Sequence, residues 1–240
     1  LAQAKVALRL RRDGEQFIQT LKTRGQSVAG LSERNEWDWY LSKAKLDTKK
    51  LSAECWPASL AELDKKQLQA IFSTDFVREK AEIAWGRGKA KVVIEAALDL
   101  GKVVAGKLEE EICELELELR EGEPAALLEL AAELAADLAL MPCDISKAER
   151  GYALLEGALQ LPLRARPPCL RADMPVPVAA QQVLREMFSQ FTTNLHTLRT
   201  SDDPEVVHQA RVGWRRLRSA YRLFKPVLAT DAMPDWQALK

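Results

Sequence analysis

The chain has little of what most catalytic and metal-binding motifs are made from. Its 240 residues include two histidines and four cysteines. The cysteines are scattered, with no Cys-x-x-Cys pair, at Cys55, Cys113, Cys143 and Cys169. The pattern favours reduced thiols over a disulfide framework or a zinc site, and reduced thiols indicate the cytoplasm.

Several classes of function are disfavoured by other absences. No apolar run approaches the roughly 20 residues of a membrane span, so we expect no membrane partner. Thirty-five basic residues balance thirty-five acidic ones, so any anion site must be local. Gly86-Arg87-Gly88 lacks the spacing of a phosphate-binding glycine loop and indicates a turn. The sequence shows no Ser-His-Asp or Cys-His arrangement that would indicate a covalent nucleophile.

The most informative feature that is present is the alternating segment 111–120. On a β-strand, side chains point to opposite faces with a period of two. Cys113 and the leucines therefore share one face, while Glu114, Glu116 and Glu118 share the other. Three neighbouring carboxylates resist ionising together unless cations compensate them. A solvated strand is one interpretation; a strand that faces positive charge is the other.

Other segments alternate in the same way and supply that positive charge. An Asp13-Gly14 hairpin signal separates two of them. The charged or polar positions are Arg9, Arg11, Thr20, Lys22, Arg34, Glu36, Asp38, Arg78, Lys80, Lys89, Lys91, Glu95 and Asp99. If such strands close into a barrel with helices outside, the charged face lines the interior. That interior would bind phosphate through its cations and Mg²⁺ or Mn²⁺ through its carboxylates.

Helices are predicted at 59–72 and from Pro124 towards Leu140, both as packing elements. A proline-rich stretch follows, with five prolines between Pro162 and Pro177, which is typical of a semi-rigid linker. We therefore predict domains at 1–165 and 178–240, joined by a linker at 166–177.

The last segment is predicted to be helical, with an apolar stripe in 178–198 and a second helix that starts at an Asp203 cap and Pro204. Five basic residues of the second helix are spaced by three and four positions and form what we call the basic stripe: His208, Arg211, Arg215, Arg218 and Arg222. A solvated basic face is one interpretation. A site that follows a repeating polyanion is the other.

Several motifs in one order resemble the CYTH family. They are Leu8-Arg9-Leu10-Arg11, the segment 72–80, Ala97-Leu98-Asp99-Leu100-Gly101, the segment 112–119 and Ser146-Lys147-Ala148-Glu149-Arg150-Gly151-Tyr152. The order resembles bacterial inorganic triphosphatases that carry a CHAD domain after the CYTH domain. The resemblance implies an α+β fold with an antiparallel eight-stranded barrel and covering helices. It further implies metal-dependent hydrolysis of tripolyphosphate inside the barrel, with Mg²⁺ or Mn²⁺.

The same resemblance implies roles for individual residues. Lys22, Arg78 and Glu116 would be catalytic. The phosphate-binding set would be Arg9, Arg11, Lys22, Arg34, Arg78, Lys80, Lys91, Lys147 and Arg150. The metal set would be Glu114, Glu116 and Glu118, with Glu95 and Asp99 as further members of the lining.

The segment 207–218 resembles the opening motif of CHAD domains, which implies long-chain polyphosphate as a ligand of the basic stripe. Both ends depart from the family patterns. No Glu-x-Glu-x-Lys strand precedes Leu1, and residues 178–240 correspond to about two helices of a longer bundle. We therefore expect a chain that is partial at both ends, with its first barrel strand missing.

Three other functions stay open. A related tunnel could cyclise ATP or hydrolyse thiamine triphosphate, because gripping three phosphates says little about what is attached to them. The chain could also be a polyphosphate-binding scaffold without turnover. The second helix also has an apolar stripe beside the basic one, formed by Val207, Ala210, Trp214, Leu217, Tyr221 and Phe224. Nucleic-acid binding ranks last, because the aromatic residues near the basic stripe fall on this apolar stripe and do not form stacking platforms. The sequence leaves the oligomeric state open.

Overall fold

The computed structural model describes residues 1–23, 25–28, 31–86 and 91–228. These form two compact units. The first unit comes mainly from residues 1–159 and contains the strands, and the second comes mainly from residues 160–228. No described helix combines the length and the apolar character that crossing a membrane requires.

The described residues form eight strands and four α-helices, together with short 3-10 turns. The strands are β1 (Ala7–Asp13), β2 (Gln16–Lys22), β3 (Gln26–Val28), β4 (Leu31–Glu33), β5 (Glu36–Leu41), β6 (Ser73–Trp85), β7 (Val92–Ala105) and β8 (Leu108–Glu121). The helices are α1 (Ala125–Asp137), α2 (Lys147–Leu155), α3 (Val176–Thr197) and α4 (Pro204–Phe224).

Among the described residues the strands pair in three separate sheets, ordered β1-β2-β5, β3-β4 and β6-β7-β8. The pairs within the two three-stranded sheets are antiparallel. The predicted α+β class is thus confirmed. Within the described ranges, the ladder hydrogen bonds do not join these sheets into one closed barrel. The predicted Asp13-Gly14 hairpin is present, with Gly14 at a φ of 58° in the turn between β1 and β2.

The β1-β2-β5 sheet has one polar and one apolar face, as the alternation predicted. Arg9, Thr20 and Asp38 face one another across the three strands. On the opposite face, Leu21 is completely buried in a core with Val6, Leu51, Cys55 and Trp56. The core holds this sheet by its apolar face, so the arginines of β1 stay on the other side.

The β6-β7-β8 sheet also separates charge from apolar side chains. Its charged face, defined by Arg78, Lys80, Glu95, Asp99, Glu114, Glu116 and Glu118, follows from the register of the three strands. Helix α1 packs through Leu130 against Val92 and Ile94 on the opposite face. Helix α2 instead packs on the charged side, where Leu154 meets Val103 and Ile112.

The predicted helix at 59–72 is wrong. Only two short 3-10 turns form there, Ala58–Leu60 and Lys65–Gln67. The side chain of Asp64 accepts from the Lys66 N–H, and the Trp56 indole donates to the Leu60 carbonyl at 2.9 Å. These local hydrogen bonds use backbone groups that a continuous helix would need.

The later helices follow the sequence more closely. The predicted Pro124 start is confirmed, although α1 ends at Asp137, three residues before Leu140. Helices α3 and α4 confirm the two predicted helices, and the Asp203 cap accepts from the Glu205 N–H. Helix α2 was not predicted, although its capping box of Ser146 and Glu149 is readable in the sequence.

In the second unit, α3 and α4 pack as an antiparallel pair around Met187, Leu217 and Ala220. The proline-rich stretch runs along them. The buried Asn194 amide pairs with both the N–H and the carbonyl of Leu163, each at 3.0 Å. These hydrogen bonds fix the stretch near residue 163 onto α3.

Candidate functional site

Arg78 is the centre of the ion pairs on the charged face. Its register partners are Asp99 on β7 and, beyond it, Glu114 on β8. The guanidinium donates to both Asp99 oxygens at 2.6 and 2.5 Å and to Glu116 at 2.6 Å. Asp99 is fully buried, so this bidentate contact compensates a carboxylate that has no access to water.

Lys147, the first residue of α2, brings a second cation to the same carboxylates. Its Nζ lies 2.8 Å from Asp99, 2.6 Å from Glu114 and 2.8 Å from Glu116. One oxygen from each of these three residues lies within 4.8 Å of the others, a separation that one metal ion could bridge. Three carboxylates are hard oxygen donors, which suit Mg²⁺ or Mn²⁺.

The space between the three carboxylates already accommodates a positive charge. An ammonium group already lies among the three carboxylates and serves as a stand-in ion. We therefore assign Asp99, Glu114 and Glu116 as the candidate metal centre. Glu118, expected as a third metal ligand, pairs instead with Arg120 at 2.8 Å and is 60% exposed. The third carboxylate beside Glu114 and Glu116 belongs to Asp99.

Helix α2 is anchored so that Lys147 points into this centre. The side chain of Arg150 is almost completely buried; it contacts Glu110 and Glu114 and donates to the Glu111 carbonyl. At Gly151, an added Cβ would lie 2.4 Å from the Phe72 ring. Only glycine permits this approach, which brings the start of α2 to the charged face.

The electrostatics of the centre favour the charged forms of Asp99, Glu116 and Lys147. Burial by itself would raise the pKa of Asp99, but hydrogen bonds from Arg78 and Lys147 outweigh it and hold that pKa below its usual value. Glu116 follows the same pattern, with Lys147 as the chief compensating charge. Burial would lower the pKa of Lys147, and the surrounding carboxylates raise it instead. Asp99, Glu116 and Lys147 are therefore charged near neutral pH.

The ring of Phe76 borders the two cations. Its centroid lies 5.6 Å from the Arg78 guanidinium carbon and 5.4 Å from the Lys147 Nζ. The same ring packs against the core formed by Val103 and Ile112. Cation–π contacts of this kind hold charged groups without neutralising them. Phe76 was not foreseen, because nothing in its sequence surroundings separates it from an ordinary core aromatic.

The β1 arginines have few compensating partners. The buried Nε atoms of Arg9 and Arg11 have no hydrogen-bond acceptor among the described residues. Burial lowers the pKa of Arg9, and the neighbouring charge of Arg11 lowers it further. Glu36 and Asp38 offset part of this effect, and Arg78 adds a smaller lowering. The contribution of Arg78 indicates that cations of β1 and β6, from different sheets, lie within electrostatic range of each other. An anion between them would relieve this repulsion.

The remaining predicted residues are not part of the centre. Lys22 pairs with Glu36 at 2.7 Å. Lys80 pairs with Glu95 at 2.8 Å, at the far end of the charged face. Arg34 and Lys91 are exposed and precede β5 and β7, outside the strands on which they were expected. Lys89 lies outside the described residues.

Two charged residues near the site were missed by the sequence reasoning. Glu110 pairs with Arg150 at 2.9 Å, and Arg120 bridges Glu95 and Glu118 at 2.7 and 2.8 Å. The alternation along β8 could have indicated Glu110, because it shares the parity of Glu114. Arg120 lies at a register shift beside Val93 and Ile94, and such an irregularity is not visible in the sequence.

The basic stripe on α4 is a separate feature of the second unit. His208, Arg211, Arg215 and Arg222 are exposed, and Arg218 is half-buried. In the described part of the chain, none of the stripe's arginines forms an ion pair with a carboxylate. Apolar packing is on the other side, with Val206 buried and Val207 exposed. The predicted apolar stripe of this helix included Val207, but the valine that is buried is its neighbour Val206.

A β-rich unit with paired carboxylates on one sheet and under-compensated arginines on another defines a class of domain suited to metal ions and phosphate groups. A CYTH domain model matches residues 1–152, more than half of the chain, and the chain belongs to the CYTH family. A CHAD domain model matches residues 182–239. Both predicted resemblances are thereby confirmed.

A curated relative is the inorganic triphosphatase of Haemophilus influenzae, which is 35% identical to the chain over 154 residues. The match covers 64% of this chain and 42% of the relative. The chain thus matches less than half the length of that protein, over a stretch about as long as the CYTH domain.

Proposed function

We propose that the CYTH domain hydrolyses tripolyphosphate to pyrophosphate and phosphate with a divalent metal ion. The observation that carries this proposal is the pairing of two surfaces in one unit. One presents the Asp99, Glu114 and Glu116 carboxylates, and the other presents Arg9 and Arg11 with unpartnered Nε atoms. A metal–triphosphate complex has complementary charges for both. The name of the Haemophilus influenzae relative supports this substrate.

The proposal includes a tunnel. The β1-β2-β5 and β6-β7-β8 sheets would be opposing walls of the eight-stranded barrel expected for the family, with the charged faces inward. The effect of Arg78 on the pKa of Arg9 supports this arrangement, because it requires the two sheets to bring these cations close together. The apolar core around Leu21 would then lie on the outer side of its sheet.

Arg9, Arg11, Lys22 and Arg78 would hold the phosphate oxygens by charge-assisted hydrogen bonds. A metal held by Asp99, Glu114 and Glu116 would neutralise phosphate charge and polarise the scissile anhydride. A water molecule attacks the terminal phosphorus in line. The water oxygen would form the new P–O bond as the anhydride P–O bond breaks, pyrophosphate would leave with the bonding electron pair, and the proton of the water would pass to solvent or to a phosphate oxygen. No covalent nucleophile is needed, so the protein's contribution is positioning and electrostatics.

The test is phosphate release from tripolyphosphate, ATP and thiamine triphosphate, each with Mg²⁺ and with Mn²⁺. We expect tripolyphosphate to be preferred, and the Glu116→Gln variant to lose most metal-dependent turnover. Turnover of ATP or thiamine triphosphate with tripolyphosphate untouched would contradict the substrate assignment and favour a related tunnel enzyme.

For the second unit, we propose that the basic stripe binds long-chain polyphosphate. The exposed arginines without ion pairs support this, because repeated bare cations at helical spacing match a repeating anion. The scaffold alternative makes a different prediction for Glu116→Gln. A scaffold without turnover keeps all of its measurable function in that variant, whereas an enzyme keeps polyphosphate affinity and loses hydrolysis.

A further inference from the structure

We propose that Lys147 is a built-in cation that fills the metal position in the free protein and must leave when the metal binds. This inference rests on the metal-dependent function proposed above. It makes Lys147 a competitor of the metal as well as a phosphate ligand. The charged centre would then exist in two states, one closed by an ammonium and one loaded with metal and substrate.

The first argument is the position of the ammonium. Its three contacts, of 2.6 to 2.8 Å, go to three different residues, Asp99, Glu114 and Glu116. These are the residues whose oxygens could share one metal ion. A divalent ion bound at about 2.0 to 2.6 Å from those oxygens would occupy the same volume as the ammonium. The two cations therefore exclude each other.

The second argument is the contrast with the neighbouring arginines. Arg78 contacts Asp99 and Glu116 but not Glu114. Arg150 contacts Glu114 and reaches away from the centre to Glu110. Each guanidinium contacts at most two of the three metal-site carboxylates, so both can stay when a metal enters. Of the cations in the described ranges, Lys147 is the one whose charge lies among all three carboxylates.

The third argument concerns what can move. The backbone at Lys147 is held by the Ser146–Glu149 capping box, by buried Arg150 and by Gly151 against Phe72. The helix therefore stays in place, and the four-carbon stem of Lys147 makes the movement. A lysine stem has several rotatable bonds, and its ammonium is a compact charge that can change partners.

Charge balance gives the exchange a direction. Four carboxylates, Asp99, Glu110, Glu114 and Glu116, face three cations in the free protein. Replacing one ammonium by a dication removes the remaining negative charge. The displaced Lys147 is then available to a phosphate oxygen of the substrate, so metal binding and phosphate binding favour each other.

Metal affinity tests the proposal without any turnover. We would titrate the full chain with MnCl₂ by calorimetry and follow free Mn²⁺ by electron paramagnetic resonance. Lys147→Met should bind Mn²⁺ about tenfold more tightly than the unmodified chain, because its competitor is gone. Lys102→Met is the matched control: it removes a lysine from the Lys102–Glu109 pair on the same sheet, and its affinity should stay within about twofold.

Equal or weaker Mn²⁺ binding by Lys147→Met would overturn the proposal, provided that melting curves show a folded protein. Lys147→Gln, which keeps a polar group, serves as the second variant and should also bind more tightly. In a crystal of the unmodified chain soaked in MnCl₂, Nζ should no longer contact all three carboxylates. An ammonium that keeps those contacts beside a bound ion would refute the exchange.

The outcomes separate this inference from the function on which it rests. If the unmodified chain and Lys147→Met bind Mn²⁺ equally and the unmodified chain hydrolyses tripolyphosphate, the function stands and the exchange is wrong. If neither binds Mn²⁺, the metal centre itself fails and the exchange fails with it. If Lys147→Met binds more tightly and hydrolyses more slowly, both are supported, and the released ammonium acts on the substrate.

Discussion

The charged face and the basic stripe both contain arginine, but the arginines have opposite surroundings in the two regions. On the charged face, Arg78 and Lys147 each contact two or more carboxylates. On α4, the arginines of the basic stripe have no such partner within the described residues. Paired charges have fixed positions and a defined site. Bare charges on a solvated helix act over a distance and lose strength as salt screens them.

The β1 arginines are intermediate between these regions. Arg9 and Arg11 are partly buried, as are several residues of the charged face. Their Nε atoms have no hydrogen-bond acceptor among the described residues, and in this respect they resemble the arginines of the basic stripe, which have no carboxylate partner there. Buried cations without full compensation destabilise a fold. Retaining them is expected where a ligand supplies the missing negative charge. The comparison thus separates residues that hold the fold from residues that await a ligand.

The largest effect is expected from Arg78→Met, which removes the centre of the paired region. We expect kcat/KM for tripolyphosphate to fall by about 100-fold or more. The free energy of unfolding should fall by about 3 kcal/mol, because the buried Asp99 carboxylate loses its contact with Arg78 and keeps only the one with Lys147. Steady-state kinetics and urea unfolding measure the two effects. Arg120→Met, which removes another bridging arginine of the same sheet, should change kcat/KM by about twofold at most.

Arg9→Met should separate ligand binding from stability. We expect KM for tripolyphosphate to rise about tenfold, because a charge-assisted phosphate contact is lost. The free energy of unfolding should stay level or increase by up to about 1 kcal/mol, because the lowered pKa of Arg9 shows that its charge is unfavourable in the fold. Arg12→Met, an exposed neighbour on β1, is the control. A marked destabilisation by Arg9→Met would place Arg9 with the paired region.

A smaller effect is expected when charge is removed from the basic stripe. The double variant Arg211→Gln with Arg215→Gln should bind polyphosphate about tenfold more weakly at low salt. Its affinity should also depend less on salt, while tripolyphosphate hydrolysis stays unchanged. Arg164→Gln with Arg171→Gln removes two exposed arginines of the same unit that lie outside the basic stripe. An equal loss in that control would mean that net charge, and not the stripe, binds the anion.

The smallest effect concerns the far end of the charged face. Hydrogen bonds from Lys80 and Arg120 lower the pKa of Glu95 below its usual value. A lowered carboxyl pKa stabilises the fold above the unfolded-state pKa of about 4.3, and this stabilisation is lost as pH falls through the folded-state pKa. Glu95→Gln should therefore be less stable by about 0.5 kcal/mol at pH 7. The difference should shrink towards pH 3 in urea unfolding, and a difference that is constant with pH would contradict this.

Local patterns predicted much of the chain for identifiable reasons. The alternation of glutamate and leucine placed Glu114 and Glu116 on one face of β8, because strand geometry leaves no other option. The Asp203 cap and the 3.6-residue period predicted α4. The failed helix at 59–72 shows the limit, since Asp64 and Trp56 form hydrogen bonds with backbone groups that the spacing of the leucines had assigned to a helix.

By itself, the sequence determined which side chains share a strand face or a helix stripe, because these relations depend only on the repeat of the backbone. Only the tertiary structure decided that Asp99 lies beside Glu114 and Glu116, and that the ammonium of Lys147 lies among them. Strand register and the close contact of Gly151 with Phe72 bring these groups together. Residues 15 to 48 positions apart in sequence become neighbours only when separate elements pack, since no local period connects them.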